Sequence, residues 1–111
     1  VTTKRTRVAR AVLDACDVAA YFDAVVGADA APRPKPDPAP AHVALARLGI
    51  APGAATVVGD TEFDVGMALA AGCRVVGAGW GYRPPPALYA AGAGVVAGSP
   101  ADLLPLLLPS R

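Results

Sequence analysis

The sequence predicts an α/β fold: a parallel sheet with helices on both faces. Two observations carry this. Runs such as Ala24–Gly27 and Ala55–Val58 are short and, but for Thr56, apolar throughout rather than alternating, as in strands covered from both sides. The order strand then helix recurs about four times along the chain, the pattern of a parallel sheet built from crossover units.

The elements follow in order. "VTT" at residues 1–3 reads as the end of a strand. Thr6–Cys16 reads as a helix that gathers Val8, Val12, Leu13 and Cys16 on one face and sets Arg7, Arg10 and Asp14 on another. "FDAVVGAD" places a buried strand at about Ala24–Gly27. The next helix begins at Asp37-Pro38, an aspartate cap followed by proline at the first helical position. It runs to about Leu48, where Gly49 can adopt the left-handed cap. "ATVVGD" gives a strand over Ala55–Val58 and a loop over Gly59–Glu62; Phe63–Ala71 is helical and Gly72 stops it. "CRVVGA" is a further strand, "GWGYRPPP" a loop, and "GVVAGS" a weaker strand. "SPADLLPLLL" opens a last helix with Ser99 as cap and Pro100 in its first turn.

The 111 residues make one domain or part of one. At 54% hydrophobic and 17% charged the chain can bury a core, and with only 5% aromatics that core packs largely through small side chains. Ten basic residues against nine acidic leave a net charge of +1, which gives no bulk attraction for nucleic acid or a membrane surface. The cluster Lys4, Arg5, Arg7 and Arg10 reads as one solvated helix face. No apolar run approaches a membrane span; Leu103–Leu108 is broken by Pro105. Cys16 and Cys73 match no metal spacing and read as buried, inert thiols in a reducing cytoplasm. The chain opens on Val1, inside a threonine-rich run, which suggests a start within a longer protein.

In parallel sheets, ligands gather at the carboxyl ends of strands. The residues found there are Thr2-Thr3, Lys35, and Asp60 with Asp64. Two carboxylates one helical turn apart suit a hard cation such as Mg²⁺, or else cap the helix that follows. Lys35 stands between Pro34 and Pro36, and proline fixes its own φ and pushes the residue before it toward extended geometry. That frame suits a positioned ammonium for phosphate oxygens; the alternative is a surface lysine. Thr2 and Thr3 can present a hydroxyl and a backbone N–H to a phosphate, or serve as ordinary polar residues at a strand end. Trp80 and Tyr82 either line the entrance of such a site or pack structurally, and His42 reads as an exposed helical histidine.

Taken together, "VTTK", "RPKPDP" and "VVGDTEFD" resemble the second, third and fourth motifs of the haloacid dehalogenase-like hydrolase superfamily. "LARLGI", "ALAAGCRVVGAGWGY" and "SPADLLPLL" are similar to its phosphoglycolate-phosphatase-type branch. The resemblance implies a Rossmann-like core over residues 1–111, a Mg²⁺ cofactor and a small phosphorylated metabolite as substrate. It implies that Thr2 bonds the phosphoryl group with help from the Thr3 backbone, that Lys35 neutralises it, and that Asp60 ligates the metal. Asp64 would orient Lys35 or reach the metal through water. The metal-free dehalogenase branch usually lacks the "GD" pair, so Asp60 favours phosphoryl chemistry.

The sequence departs from the family in one respect: it contains no Asp-x-Asp. The family's nucleophile and its acid/base partner stand in such a motif on a central strand, which is followed by a small cap domain that selects substrate. Without that strand and cap, the expectation is a partial core domain that is inactive or nearly so alone, and whose open sheet edges lead to poor solubility, self-association as a dimer, or a rearranged sheet. The alternative is a non-catalytic remnant that acts as a binding or interaction module. A phosphoryl-accepting receiver domain also uses parallel strands, a threonine and a lysine, but needs an acidic cluster at its first strand.

Overall fold

A computed structural model describes residues 1–108. Helix α1 (Thr6–Ala15) is followed by single 3-10 turns at Ala19–Tyr21 and Ala28–Ala30, then by α2 (Ala39–Leu48). The sheet comprises β1 (Thr56–Gly59), β2 (Arg74–Ala78) and β3 (Val96–Ala97), in the order β1-β2-β3 and parallel throughout. Helix α3 (Glu62–Ala71) joins β1 to β2, α4 (Pro85–Ala90) joins β2 to β3, and α5 (Leu103–Leu107) follows β3. The result is a Rossmann-like α/β arrangement. No helix among the described residues is long and apolar enough to cross a membrane.

β1 and β2 align Val57 with Val75 and Val58 with Val76. Successive side chains alternate between the faces of a sheet. Val57 and Val75 pack with Ala41 and Leu45 of α2 and with Met67, Ala68 and Ala71 of α3. Val75 also joins Val65, Leu88 and Ala93 in a second cluster below α4. Met67 and Leu88 are fully buried and anchor the two clusters. On the other face Val76 is buried, whereas Val58 keeps 37% of its surface exposed. Gly49 and Gly72 end α2 and α3 in the left-handed conformation expected of them (φ 66° and 78°).

Several expectations are corrected. Residues 1–3 and Ala24–Gly27 form no strand. The Thr2 amide donates to the Val26 carbonyl at 2.9 Å and the Ala28 amide to the Lys4 carbonyl at 2.7 Å, so the two segments lie side by side. Two isolated bonds hold them extended but make no ladder, and among the described residues nothing pairs with the outer edge of β1. The apolar face of α1 is not core: Ala9 is buried, but Val8 and Val12 are each nearly half exposed. Val12, Leu13, Phe22, Val1 and Val25 instead line an open apolar cleft. Cys16 caps α1 and is exposed, whereas Cys73 is buried as expected. The prolines read as loop include the start of α4, since Pro85 and Pro86 occupy its first turn, where a missing N–H costs nothing. α2 begins at Ala39, with Pro38 rather than Asp37 at its cap position; the Asp37 carboxylate, one residue earlier, accepts from the Ala39 amide at 2.8 Å. After Ser99, a 3-10 turn over Pro100–Asp102 precedes α5.

Candidate functional site

Gly59 closes β1 and turns the chain into α3 at the carboxyl edge of the sheet. A Cβ at Gly59 would overlap the Asp64 side chain, so only glycine lets that carboxylate reach back over the turn. Thr61 is the cap of α3 and forms a capping box with Asp64. The Asp64 amide donates to Thr61 Oγ1 at 3.3 Å. Asp64 Oδ2 in turn accepts from the amides of Asp60 and Thr61, each at 3.2 Å, and from the Thr61 hydroxyl at 3.0 Å.

Asp64 Oδ1 accepts from Lys35 Nζ at 2.5 Å, with both side chains almost buried. The loop bearing Lys35 sits close to α3: a Cβ on Gly66 would stand 3.0 Å from Pro36 Cβ. The lysine is therefore held by its proline neighbours and by a buried acid together. Burial pushes the Asp64 carboxyl up, but the hydrogen bond and charge of Lys35, with the Thr61 bonds, outweigh it and hold the group below its ordinary value.

Thr2, Thr3, Lys35, Asp60 and Asp64 line one cavity of about 610 Å³, together with Val1, Val58, Gly59, Thr61 and Phe63. All five residues expected at the site are thus brought together, although they come from three separate stretches of chain. The Lys4 amide donates to Thr2 Oγ1 at 3.2 Å, which leaves that hydroxyl its own proton to donate. Asp60 Oδ2 accepts from the Tyr82 amide at 2.9 Å. Among the described residues no donor meets Asp60 Oδ1.

That free carboxylate oxygen in a polar cavity fits a hard cation that keeps water in most of its coordination sphere, as Mg²⁺ does. The described residues assemble no group of three metal-ligating side chains, so this chain offers the cation Asp60 and little more. Asp64, with both oxygens engaged, serves as the holder of Lys35.

Trp80 and Tyr82 are not among the residues that line the cavity; Tyr82 is 79% exposed, and its ring carries the Arg83 guanidinium at 5.6 Å. Phe63 is the aromatic residue in the cavity wall, beside the apolar Val1 and Val58. His42 is exposed on α2, and Lys4, Arg5, Arg7 and Arg10 are exposed at the start of the chain. Thr61 was legible in advance, because Thr-x-x-Asp ahead of an apolar run is a capping-box pattern. The Tyr82 amide had no signal, since a backbone donor reaching across from another loop leaves no residue type to read.

The model of the haloacid dehalogenase-like hydrolase family matches residues 1–78. The phosphoglycolate phosphatase of Escherichia coli K12 is 40% identical over 107 residues, covering 96% of this chain and 42% of the relative. That of Salmonella paratyphi A is 38% identical over the same length. The crystal structure of a predicted phosphoglycolate phosphatase from Haemophilus somnus superposes with a TM-score of 0.88 at 30% identity, over 97% of this chain and 48% of that one. The chain therefore spans less than half the length of each of these relatives.

Proposed function

The chain belongs to the haloacid dehalogenase-like hydrolase family, and from that premise we propose that it is the carboxyl-terminal part of a Mg²⁺-dependent phosphatase acting on a small phosphomonoester. Relatives named phosphoglycolate phosphatase support a small, acidic substrate of that class. The observation that carries the reading is the Lys35–Asp64 pair, 2.5 Å apart, on a cavity shared with Thr2, Thr3 and Asp60.

Lys35 supplies a fixed positive charge for the phosphoryl oxygens, and Asp64 keeps its ammonium in place. The Thr2 hydroxyl and the Thr3 backbone N–H donate to the same group. Asp60 would hold the cation, which when bound would neutralise charge on the transferring phosphoryl group. In the reaction a carboxylate oxygen attacks phosphorus, the bond to the leaving alcohol breaks, and water then hydrolyses the aspartyl-phosphate. The attacking carboxylate and its acid/base partner come from outside these residues, because the sequence holds no Asp-x-Asp.

The test is binding of inorganic phosphate to this chain in the presence of Mg²⁺, followed by calorimetry. The unaltered chain binds, while Lys35→Ala and Asp60→Asn each lose about tenfold or more, the worth of one charged contact. Equal binding by all three overturns the reading. The lack of Asp-x-Asp also favours a second reading, a module that binds phosphate without turnover. A longer parent chain that carries the motif and hydrolyses p-nitrophenyl phosphate eliminates that second reading.

A further inference from the structure

The Asp60 backbone is held by its own turn, but its carboxylate is not. The donor to its Oδ2 is the Tyr82 amide, from the loop after β2, and the Arg83 amide donates to the Asp60 carbonyl at 3.1 Å. Gly81 permits this approach, for a Cβ there would overlap the Asp60 side chain. The same loop is tied to α3 by a two-pronged ion pair: Arg83 Nε donates to Glu62 Oε2 at 3.1 Å and Nη2 to Oε1 at 3.3 Å. Glu62 stands two residues after Asp60, in the first turn of α3. The pair therefore spans the place where Tyr82 meets Asp60.

We propose that Glu62 and Arg83 are positioning residues for the cation site: their ion pair docks the Gly79–Pro84 loop so that the Tyr82 amide fixes one oxygen of Asp60 and leaves the other to the metal. This rests on the reading of Asp60 as the metal carboxylate. The pair is solvent-exposed, with 45% and 37% of the two side chains accessible. Exposed pairs add little to fold stability, whereas partners that orient a ligand shift metal affinity measurably. Its removal should thus be felt at Asp60 rather than in global unfolding.

The experiment uses Mn²⁺ as the probe, with the free ion read by its electron paramagnetic resonance signal, and amide hydrogen exchange at Tyr82 as a readout that needs no metal. Glu62→Gln and Arg83→Gln should each weaken Mn²⁺ binding about two- to fivefold, the range an exposed pair supports. Each should also speed Tyr82 exchange, and the double variant should be no worse than either single one. Their thermal unfolding midpoints should match the unaltered chain. Unchanged Tyr82 exchange in both variants overturns the clamp, as does unchanged Mn²⁺ affinity where Asp60→Asn abolishes binding. Retention of Mn²⁺ by Asp60→Asn overturns the metal reading of Asp60 instead, whatever Tyr82 does. Equal loss of unfolding midpoint and affinity reduces the pair to a structural brace and overturns its positioning role.

Discussion

Lys35 Nζ meets Asp64 Oδ1 across 29 residues of chain, and the other oxygen of that carboxylate closes the turn that presents Asp60. One acid thus does two things. It fixes both the ammonium and the Gly59–Thr61 turn that line the cavity. An ammonium alone in such a place would be strongly disfavoured by desolvation, and so would the carboxylate.

Removing the acid should therefore hurt more than removing the base. Asp64→Ala leaves an almost buried ammonium unpaired and breaks the capping box, which should destabilise the chain by about 3 kcal/mol or more. Lys35→Met should cost less, because Asp64 keeps its Thr61 and Asp60 donors. Urea unfolding of the two single variants and the double should give a coupling of about 0.5–3 kcal/mol; additive losses would mean the pair does not act as one unit.

Stability should fall in acid because of the same group. The Asp64 carboxyl lies below its ordinary value of 3.8 when folded. Above pH 3.8 both folded and unfolded forms are ionised and the contribution is fully present. As pH drops below 3.8, the unfolded chain takes up a proton first, which favours unfolding, and the contribution is gone once the folded carboxyl also protonates. Unfolding midpoints measured from about pH 6 down to about pH 2 should decline over this window. The decline should be shallower in Asp64→Asn.

Gly59→Ala should disturb the site more than the sheet. The added methyl would meet Asp64, forcing the carboxylate off Lys35 or the turn off Asp60. A stability loss of about 1–3 kcal/mol is expected, with weakened phosphate binding by calorimetry. Phosphate affinity equal to that of the unaltered chain would show that the turn tolerates the change.

Leu88→Ala should be costly although α4 is short. Leu88 is fully buried against Val65 and Ala93, and its loss leaves a cavity in the second cluster. About 2–5 kcal/mol is expected from denaturant unfolding.

The pieces of the site were legible in the sequence because each carries a local signature. Gly59 before Asp60, proline on both sides of Lys35, and threonines before a helix all announce themselves by residue type and spacing. The strands Thr56–Gly59 and Arg74–Ala78 and the helices around them were equally plain, since Val57-Val58 and Val75-Val76, each followed by glycine and set between helices with cap signals, need no partner to be recognised. Ala24–Gly27 carried the same apolar signature, and the β-branched run at residues 1–3 read as a strand end, yet neither became a strand, because a strand exists only where a neighbour completes the ladder.

Composition and spacing by themselves determined the parallel α/β pattern and which residues stand at its chemical edge. Only the tertiary structure decided that Asp64 is spent on holding Lys35, that Asp60 leans on a backbone amide from a distant loop, and that the face of α1 stays half open. The reason is that hydrogen-bond partners and burial are properties of segments brought together in space, and a backbone donor or an uncovered face leaves no trace in the residue types.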